Sequence, residues 1–169
     1  GIRILMNRIT PQYYQNNSPS RERLDYLKKL VEQQGRTVPD DFDIDEIHWV
    51  TDRLGITDFE GSQESVLQDY FTINVAGELN SPAQIQADID PGSGTVEKEL
   101  TELAALIHKT LSENSDTKVV VHCAMGMERS PLTVVWYLHT YQNKTLDEAY
   151  EMAMSARPVV CDRREWIKQ

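Results

Sequence analysis

Apolar residues recur at helical spacing in three parts of the chain, and each part is predicted to form an amphipathic helix. Turn-forming residues separate these parts, and Gly35 marks the end of the first helix. The apolar positions are Leu24, Leu27, Leu30 and Val31 in the first helix, Val96, Leu100, Leu103, Ala104, Ile107 and Leu111 in the second, and Leu132, Val135, Trp136 and Leu138 in the third.

Two kinds of capping sequence mark the helix starts. Ser-Pro pairs at 18–19 and 130–131 each supply a serine cap followed by a proline suited to the first helical position. Thr145 and Glu148 have the spacing of a capping box, which predicts a fourth helix. Asp162 and Glu165 predict the start of a last short helix.

Short apolar runs between the helices predict strands. These runs are residues 2–6, 47–51, 70–75 and 118–122. The acidic stretch 39–46 is predicted to be a surface loop, and the breaker-rich stretch 76–94 a long loop of the kind that is often functional. Strands interspersed with helices predict an α/β fold, a single domain over residues 1–169 with a mixed sheet flanked by helices.

Composition narrows the range of partners. A net charge of -10 and a pI near 4.8 argue against nucleic acid or an anionic membrane as a partner, because both require an excess of Lys and Arg. No apolar run approaches the roughly 18 residues of a membrane-spanning helix. The two cysteines form no disulfide framework, which favours a cytoplasmic setting. The sequence begins with Gly1 and not with an initiator Met, so the question whether a targeting segment was removed stays open.

The stretch from His122 to Ser130 contains the candidate chemistry. It joins a predicted buried strand to the third helix, where the first helical amides lack partners and point at one spot. Gly126 allows the backbone to curl so that successive amides form an anion-binding nest, to which Arg129 adds a planar pair of donors. The predicted phosphate-binding residues are Ala124, Met125, Gly126, Met127, Glu128 and Arg129.

Cys123 lies at the floor of this predicted nest, where the field that binds phosphate favours a thiolate over a thiol. A thiolate can attack phosphorus and form a phosphocysteine intermediate. Ser130 is predicted to donate a hydrogen bond to the sulfur and so help it leave when the intermediate is hydrolysed. His122 is expected to orient the loop by hydrogen bonding rather than to act as a base.

The pattern His-Cys-x-x-Gly-x-x-Arg-Ser between a strand and a helix resembles the cysteine-dependent protein phosphatases, and in particular their dual-specificity branch. Residues 130–133, 146–150 and 156–158 resemble the downstream helices of that branch. The resemblance covers the second half of the chain well. It implies a protein tyrosine phosphatase-like fold and a catalytic aspartate that protonates the leaving group from a loop before the second helix.

Four carboxyl groups are candidates for this proton donor. Asp90 is the first choice, because it lies beside a Pro-Gly turn a few residues before the helix start. Asp88 could occupy the same space after a small shift, and Glu78 lies at the end of the preceding strand. Glu128 precedes Arg129, where some related phosphatases have an acid, although an ion pair at the surface explains it as well.

The loop contains no lysine, whereas lipid and inositol phosphatases of the superfamily often have lysines there. Phosphotyrosine, together with phosphoserine and phosphothreonine, in proteins is therefore the favoured substrate class, with small phosphomonoesters as simpler substrates. The alternatives are a phosphoinositide or other non-protein phosphatase and a catalytically idle module that binds phospho-ligands. The four histidines are scattered, so no metal or cofactor is predicted. The sequence carries no signal for an oligomeric state.

Overall fold

The protein folds around one six-stranded mixed sheet, seen in a computed structural model that describes residues 3–4 and 20–168. The strands are β1 (Arg3–Ile4), β2 (His48–Thr51), β3 (Leu54–Thr57), β4 (Phe71–Asn74), β5 (Ile85–Gln86) and β6 (Val119–His122). Their order across the sheet is β1-β5-β4-β6-β3-β2. The four inner strands run parallel, and the edge strands β1 and β2 pair antiparallel to them.

Helices connect and cover these strands. They are α1 (Ser20–Glu32), α2 (Phe59–Leu67), α3 (Val96–Glu113), α4 (Arg129–Tyr141) and α5 (Leu146–Ala156), followed by a 3-10 helix (Arg164–Lys168). α3, α4 and α5 pack side by side, and α4 lies against β3 and β6. Strand β6 is completely buried, as its run of three valines predicts. In the described part of the chain no helix has both the length and the apolar character needed to cross a membrane.

The predicted fold class is confirmed, and most elements lie where the apolar pattern placed them. The capping box at Thr145 and Glu148 is present, and α1 is followed by Gly35 with a φ of +79°. The predicted cap at 18–19 lies outside the described residues, as do the ends of the predicted strand 2–6. The short helix predicted to begin at Asp162 is the 3-10 helix, which starts two residues later.

Three expectations were wrong or incomplete. Residues 54–67 form β3 and α2, which the apolar pattern did not reveal, because β3 has only four residues and α2 begins at a buried aspartate cap, Asp58. The long loop 76–94 contains the short strand β5. Ser130 does not cap α4, since the helix already begins at Arg129 with Glu128 in the cap position, and the Ser130 hydroxyl serves another purpose.

Candidate active site

A row of buried polar residues ends the four parallel strands and supports the loops beyond them. We call Thr57, His122, Asn74 and Gln86 the polar row; they are the last residues of β3, β6, β4 and β5 and stand side by side in the sheet register. Each is at most 1% exposed, although the residues before them in β6 and β4 are largely apolar. Loops that follow the carboxyl ends of parallel strands are the usual place for a binding site.

The segment after β6, residues 123–130, is the phosphate loop, and all of its first six carbonyls are held from outside. His122 Nδ1 lies 2.9 Å from the Cys123 carbonyl oxygen, and the Phe59 amide donates to the carbonyl of Ala124 at 3.1 Å. The Arg157 guanidinium donates to the next two carbonyls, at Met125 and Gly126, each at 2.8 Å.

The last two of these carbonyls are held by backbone amides. Cys161 donates its amide to the Met127 carbonyl at 2.8 Å, and Leu132 donates to the Glu128 carbonyl at 3.1 Å. Because neighbouring amide and carbonyl groups point in opposite directions, carbonyls directed outward leave the amides directed inward. The bonds to the carbonyls therefore hold the loop in the curl that the predicted nest of N–H groups requires.

Gly126 is required at the centre of this loop for two reasons. Its φ is +65°, a conformation that side-chain-bearing residues rarely adopt. A Cβ atom here would also lie 2.7 Å from two nitrogens of Arg157 and 2.8 Å from the Thr57 carbonyl oxygen. The tight curl of the loop and its clamp by Arg157 thus both depend on glycine.

Cys123 is 3% exposed at the base of the loop, and its Sγ lies 3.2 Å from Ser130 Oγ. Burial alone would raise the pKa of Cys123. The charge of Arg129 and hydrogen bonds from the Ser130 hydroxyl and the Ser130 and Gly126 amides outweigh that effect and lower the pKa below its ordinary value. The structure thus gives Cys123 and Ser130 the arrangement predicted for a nucleophile and its hydrogen-bond donor.

Arg129 forms a bidentate ion pair with Glu78, in which Nη1 and Nη2 each donate to a carboxylate oxygen at 2.7 Å. The pair uses the end of the guanidinium, so the side formed by Nε and Nη2 keeps donors for a phosphoryl group. Arg129 lowers the pKa of Glu78, chiefly through these hydrogen bonds. Glu78 therefore orients the arginine as an anion and is poorly suited to donate a proton.

The two aspartates of the long loop, Asp88 and Asp90, are both exposed. Asp90 Oδ1 accepts from the Gly92 amide at 3.0 Å, within its own turn. Asp88 Oδ1 accepts from the Gly77 amide at 3.0 Å. Burial opposes the raised pKa of Arg129, which is due chiefly to its hydrogen bonds with Glu78 and least to the charge of Asp88. The structure thus brings Asp88 into electrostatic contact with the phosphate loop and leaves Asp90 in a turn of its own.

A cavity of about 260 Å³ opens above Cys123. Its lining residues are Tyr26, Cys123, Ala124, Met125, Met127, Glu128 and Arg129. Glu128 accepts a hydrogen bond from Arg163 Nε at 2.5 Å, which agrees with its interpretation as an ion-pair partner. The two methionines and the Tyr26 ring, whose residue is 54% exposed, give the mouth an apolar surface.

The apolar pattern missed several residues that shape this site. Tyr26 was hidden because it lies on the polar side of α1. The contact of Arg157 with the loop was not predicted, because an arginine after a helix usually lies in solvent, whereas this one is fully buried. Cys161 takes part through its backbone amide, which no side-chain pattern reveals. The polar row did leave a signal in β6, which changes from three valines to a histidine at its last residue.

Fold and site together define an α/β protein with a buried cysteine of lowered pKa at the base of a loop that joins a parallel strand to a helix. Residues 62–169 match the family described as the catalytic domain of dual specificity phosphatases. The match covers more than half of the chain, which therefore belongs to the dual specificity phosphatase family.

Individual relatives resemble parts of the chain. Dual specificity protein phosphatase 26 of Homo sapiens is 38% identical over 60 residues, which are 36% of this chain and 28% of that protein. The chain thus spans less than a third of that relative.

Solved structures share the fold at low sequence identity. Human DUSP28 has a TM-score of 0.63 and 18% identity, over 72% of this chain and 88% of that one. The human tyrosine phosphatase-like serine/threonine/tyrosine-interacting protein has a TM-score of 0.58 and 15% identity, over 72% and 91% of the two chains. The same architecture therefore occurs in these human proteins.

Proposed function

We propose that the chain is a cysteine-dependent phosphatase domain that hydrolyses phosphomonoesters of proteins, with phosphotyrosine as the preferred substrate. The observation that carries this proposal is the phosphate loop, in which six consecutive carbonyls are held outward around a buried thiol of lowered pKa. Inward amides and the free side of the Arg129 guanidinium suit three phosphoryl oxygens. Membership of the dual specificity phosphatase family supports the same chemistry.

The proposed reaction has two steps. The Cys123 thiolate attacks phosphorus in line, the phosphorus–oxygen bond to the substrate breaks, and Asp90 gives its proton to the departing oxygen. The Asp90 carboxylate then takes a proton from a water molecule that attacks the phosphocysteine. The phosphorus–sulfur bond breaks, and the Ser130 hydroxyl stabilises the thiolate that leaves.

Asp90 remains our proposed proton donor, although the structure gives the other carboxyl groups more contacts. Glu78 and Glu128 are engaged by Arg129 and Arg163, and Asp88 is fixed to the Gly77 amide. The Asp90 carboxylate is exposed and accepts a hydrogen bond from the Gly92 amide within its own turn, so it can turn toward a bound substrate at low cost. Asp88 is the alternative to be tested beside it.

An aromatic phosphate ester fits the mouth of the cavity better than an aliphatic one. Tyr26 and Met125 present apolar surface beside the thiol, where a substrate ring would contact them. The same walls contain no lysine, so they offer little to additional phosphate groups. A thiol nucleophile also requires a reducing compartment, which supports our expectation that the protein acts in the cytoplasm.

The test is hydrolysis of an aryl phosphate by the wild-type chain and by Cys123→Ser, both confirmed to be folded by thermal unfolding. We expect turnover to be lost in Cys123→Ser, because a serine hydroxyl lacks the thiolate that the loop stabilises. Binding of tungstate, a tetrahedral oxyanion, should persist in both proteins. Wild-type turnover no faster than that of Cys123→Ser, with tungstate still bound, would identify a module that binds phospho-ligands and would refute the enzyme.

A further inference from the structure

We propose that Ser81 is a positioning residue for the Cys123 nucleophile and acts on it through the imidazole of His122. This inference rests on the proposed function of Cys123. Ser81 lies on the segment between β4 and β5, residues 75–84, far from the phosphate loop in sequence. In the fold its hydroxyl lies 2.6 Å from His122 Nε2, and both residues are buried, at 2% and 0% exposure.

The directions of the hydrogen bonds follow from the chemistry of the partners. The Cys123 carbonyl oxygen can only accept, so His122 Nδ1, 2.9 Å away, must carry the proton. In a neutral ring Nε2 is then an acceptor, and the Ser81 hydroxyl must donate to it. Ser81 Oγ in turn accepts from the Ala83 amide at 3.1 Å. The resulting chain leads from Ala83 through Ser81 and His122 to the peptide of the nucleophile.

His122 stays neutral in this arrangement. Burial is the main cause that lowers its pKa to about 4, and the charge of Arg129 adds to that effect, while the hydrogen bond to the Cys123 backbone opposes it. A neutral ring has two tautomers, and only the one protonated at Nδ1 can hold the Cys123 carbonyl. The Cys123 carbonyl requires this tautomer, and the Ser81 hydroxyl stabilises it by donating to Nε2.

The polar row holds Ser81 in place. Gln86 Nε2 donates to the carbonyls of Ser81 and Ala83 at 3.1 and 2.9 Å, and Asn74 Nδ2 donates to Gln86 Oε1 at 2.7 Å. All of these groups are buried, so water does not compete for their hydrogen bonds. The bonds therefore constrain the position of Ser81 strongly.

The same segment supplies Glu78, which orients Arg129. Residues 75–84 therefore hold the nucleophile through Ser81 and the phosphate-binding arginine through Glu78. Two cations, Arg129 and Arg157, contribute to the electrostatic field at Cys123. Neither guanidinium is a hydrogen-bond partner of the Ser81 hydroxyl, whose partners are His122 and the Ala83 amide. Removal of the hydroxyl should therefore alter the position of the sulfur while leaving both charges in place.

The first experiment measures alkylation of Cys123 by a neutral haloacetamide as a function of pH, which reports thiolate formation without any turnover. We expect Ser81→Ala to raise the apparent pKa of Cys123 by about one unit, and to lower kcat about tenfold with little change in KM, because thiolate is lost at a given pH. Ser81→Thr retains a hydroxyl and should restore the wild-type profile. Ser65→Ala is the matched control.

Ser65 is a suitable control because its hydroxyl is also fully buried and hydrogen-bonded, to Thr72 Oγ1 at 2.7 Å, on α2 rather than beside the loop. An unchanged alkylation profile in folded Ser81→Ala, or an equal shift in Ser65→Ala, would overturn the proposal. Failure of the proposed function would instead appear as absent turnover in a wild-type protein whose alkylation profile still responds to Ser81.

A second measurement requires no variant and so cannot fail through misfolding. Nitrogen NMR of the wild-type imidazoles near neutral pH distinguishes a protonated ring nitrogen from an unprotonated one. For His122 we expect a proton on Nδ1 and an unprotonated Nε2. A His122 ring protonated at Nε2 would contradict the chain of hydrogen bonds and with it the role of Ser81.

Discussion

The phosphate loop and the segment that carries the acids differ in how firmly the fold holds them. In residues 123–130 every carbonyl from Cys123 to Glu128 has a donor, and the loop backbone is clamped by β6, α2 and Arg157. In residues 87–95 the bonds beyond Ile89 stay within the turn, where Asp90 accepts from Gly92 and Ser93. The phosphate loop is preorganised to bind an anion, whereas the residues around Asp90 are hydrogen-bonded within their own turn.

This difference follows from the two tasks. Binding a dianion in a buried site is effective only if the donors are fixed in advance, because reorganising them during the reaction would cost the energy they supply. A proton donor must approach the leaving group after the substrate has entered, so it belongs on a segment of low local stability. Variants in the first region should therefore affect stability and activity together, whereas variants of the acid should affect activity alone.

The largest effect is expected for Arg129→Lys. A lysine keeps the charge but loses the planar pair of donors, so kcat/KM for an aryl phosphate should fall about 10³-fold. Tungstate affinity should fall as well, as measured by competition with the substrate. A lysine variant within tenfold of the wild-type protein would mean that the charge alone suffices, and that the geometry set by Glu78 is unimportant.

A somewhat smaller effect is expected for Asp90→Asn, about 10² in kcat for an ester whose phenol is weakly acidic. The loss should shrink for a strongly acidic phenol, and the alkaline limb of the pH–rate profile should flatten. Asp116→Asn removes the same charge from an exposed turn before β6, at the opposite end of that strand from Cys123, and serves as the control. A larger loss in Asp88→Asn than in Asp90→Asn would transfer the role to Asp88.

The third prediction concerns stability. Gly126→Ala should lower the free energy of unfolding by about 2 kcal/mol, because it combines backbone strain with contacts of 2.7–2.8 Å to Arg157 and Thr57. Gly94→Ala is matched in strain, with a φ of +76°, but its Cβ would meet nothing within 4 Å. We expect the smaller cost there, measured by denaturant unfolding. Equal costs would show that the clamp around Gly126 adds nothing.

The smallest effect is the pH dependence of stability. Burial is the main cause that lowers the pKa of His48 to about 3 and that of His122 to about 4, whereas both are near 6.5 in the unfolded chain. The unfolded chain therefore binds more protons as the pH falls below 6.5, and stability decreases. Each imidazole should account for about 1 kcal/mol between pH 6.5 and 5.5.

His48→Asn provides the control for that slope. Asparagine can still accept the hydrogen bond that Arg157 Nη1 donates to His48 Nδ1 at 2.7 Å, but it does not titrate. The part of the pH dependence of the unfolding free energy that is assigned to both imidazoles should then fall by about half. An unchanged slope would exclude His48 as one of its sources.

The sequence made the centre of the site predictable, because nine consecutive residues combine a thiol, a glycine and an arginine at the junction of a strand and a helix. The surroundings were less accessible. Arg157 and the Cys161 amide reach the loop only through tertiary packing, and the strand β3 is too short to show a period. Ser130 shows both outcomes: its predicted role as a helix cap was wrong, because Glu128 takes the cap position, whereas its predicted contact with the thiol is present at 3.2 Å.

The most direct test of the account is capture of the covalent intermediate. Ser130→Ala should slow the departure of the thiolate, so that an aryl phosphate gives a burst of phenol close to one equivalent, followed by slow turnover. Mass spectrometry of the quenched protein should then locate one phosphoryl group on Cys123, with the peptide containing Cys161 unmodified as an internal control. Continued turnover without a burst and without a phosphoryl group on Cys123 would contradict the central claim.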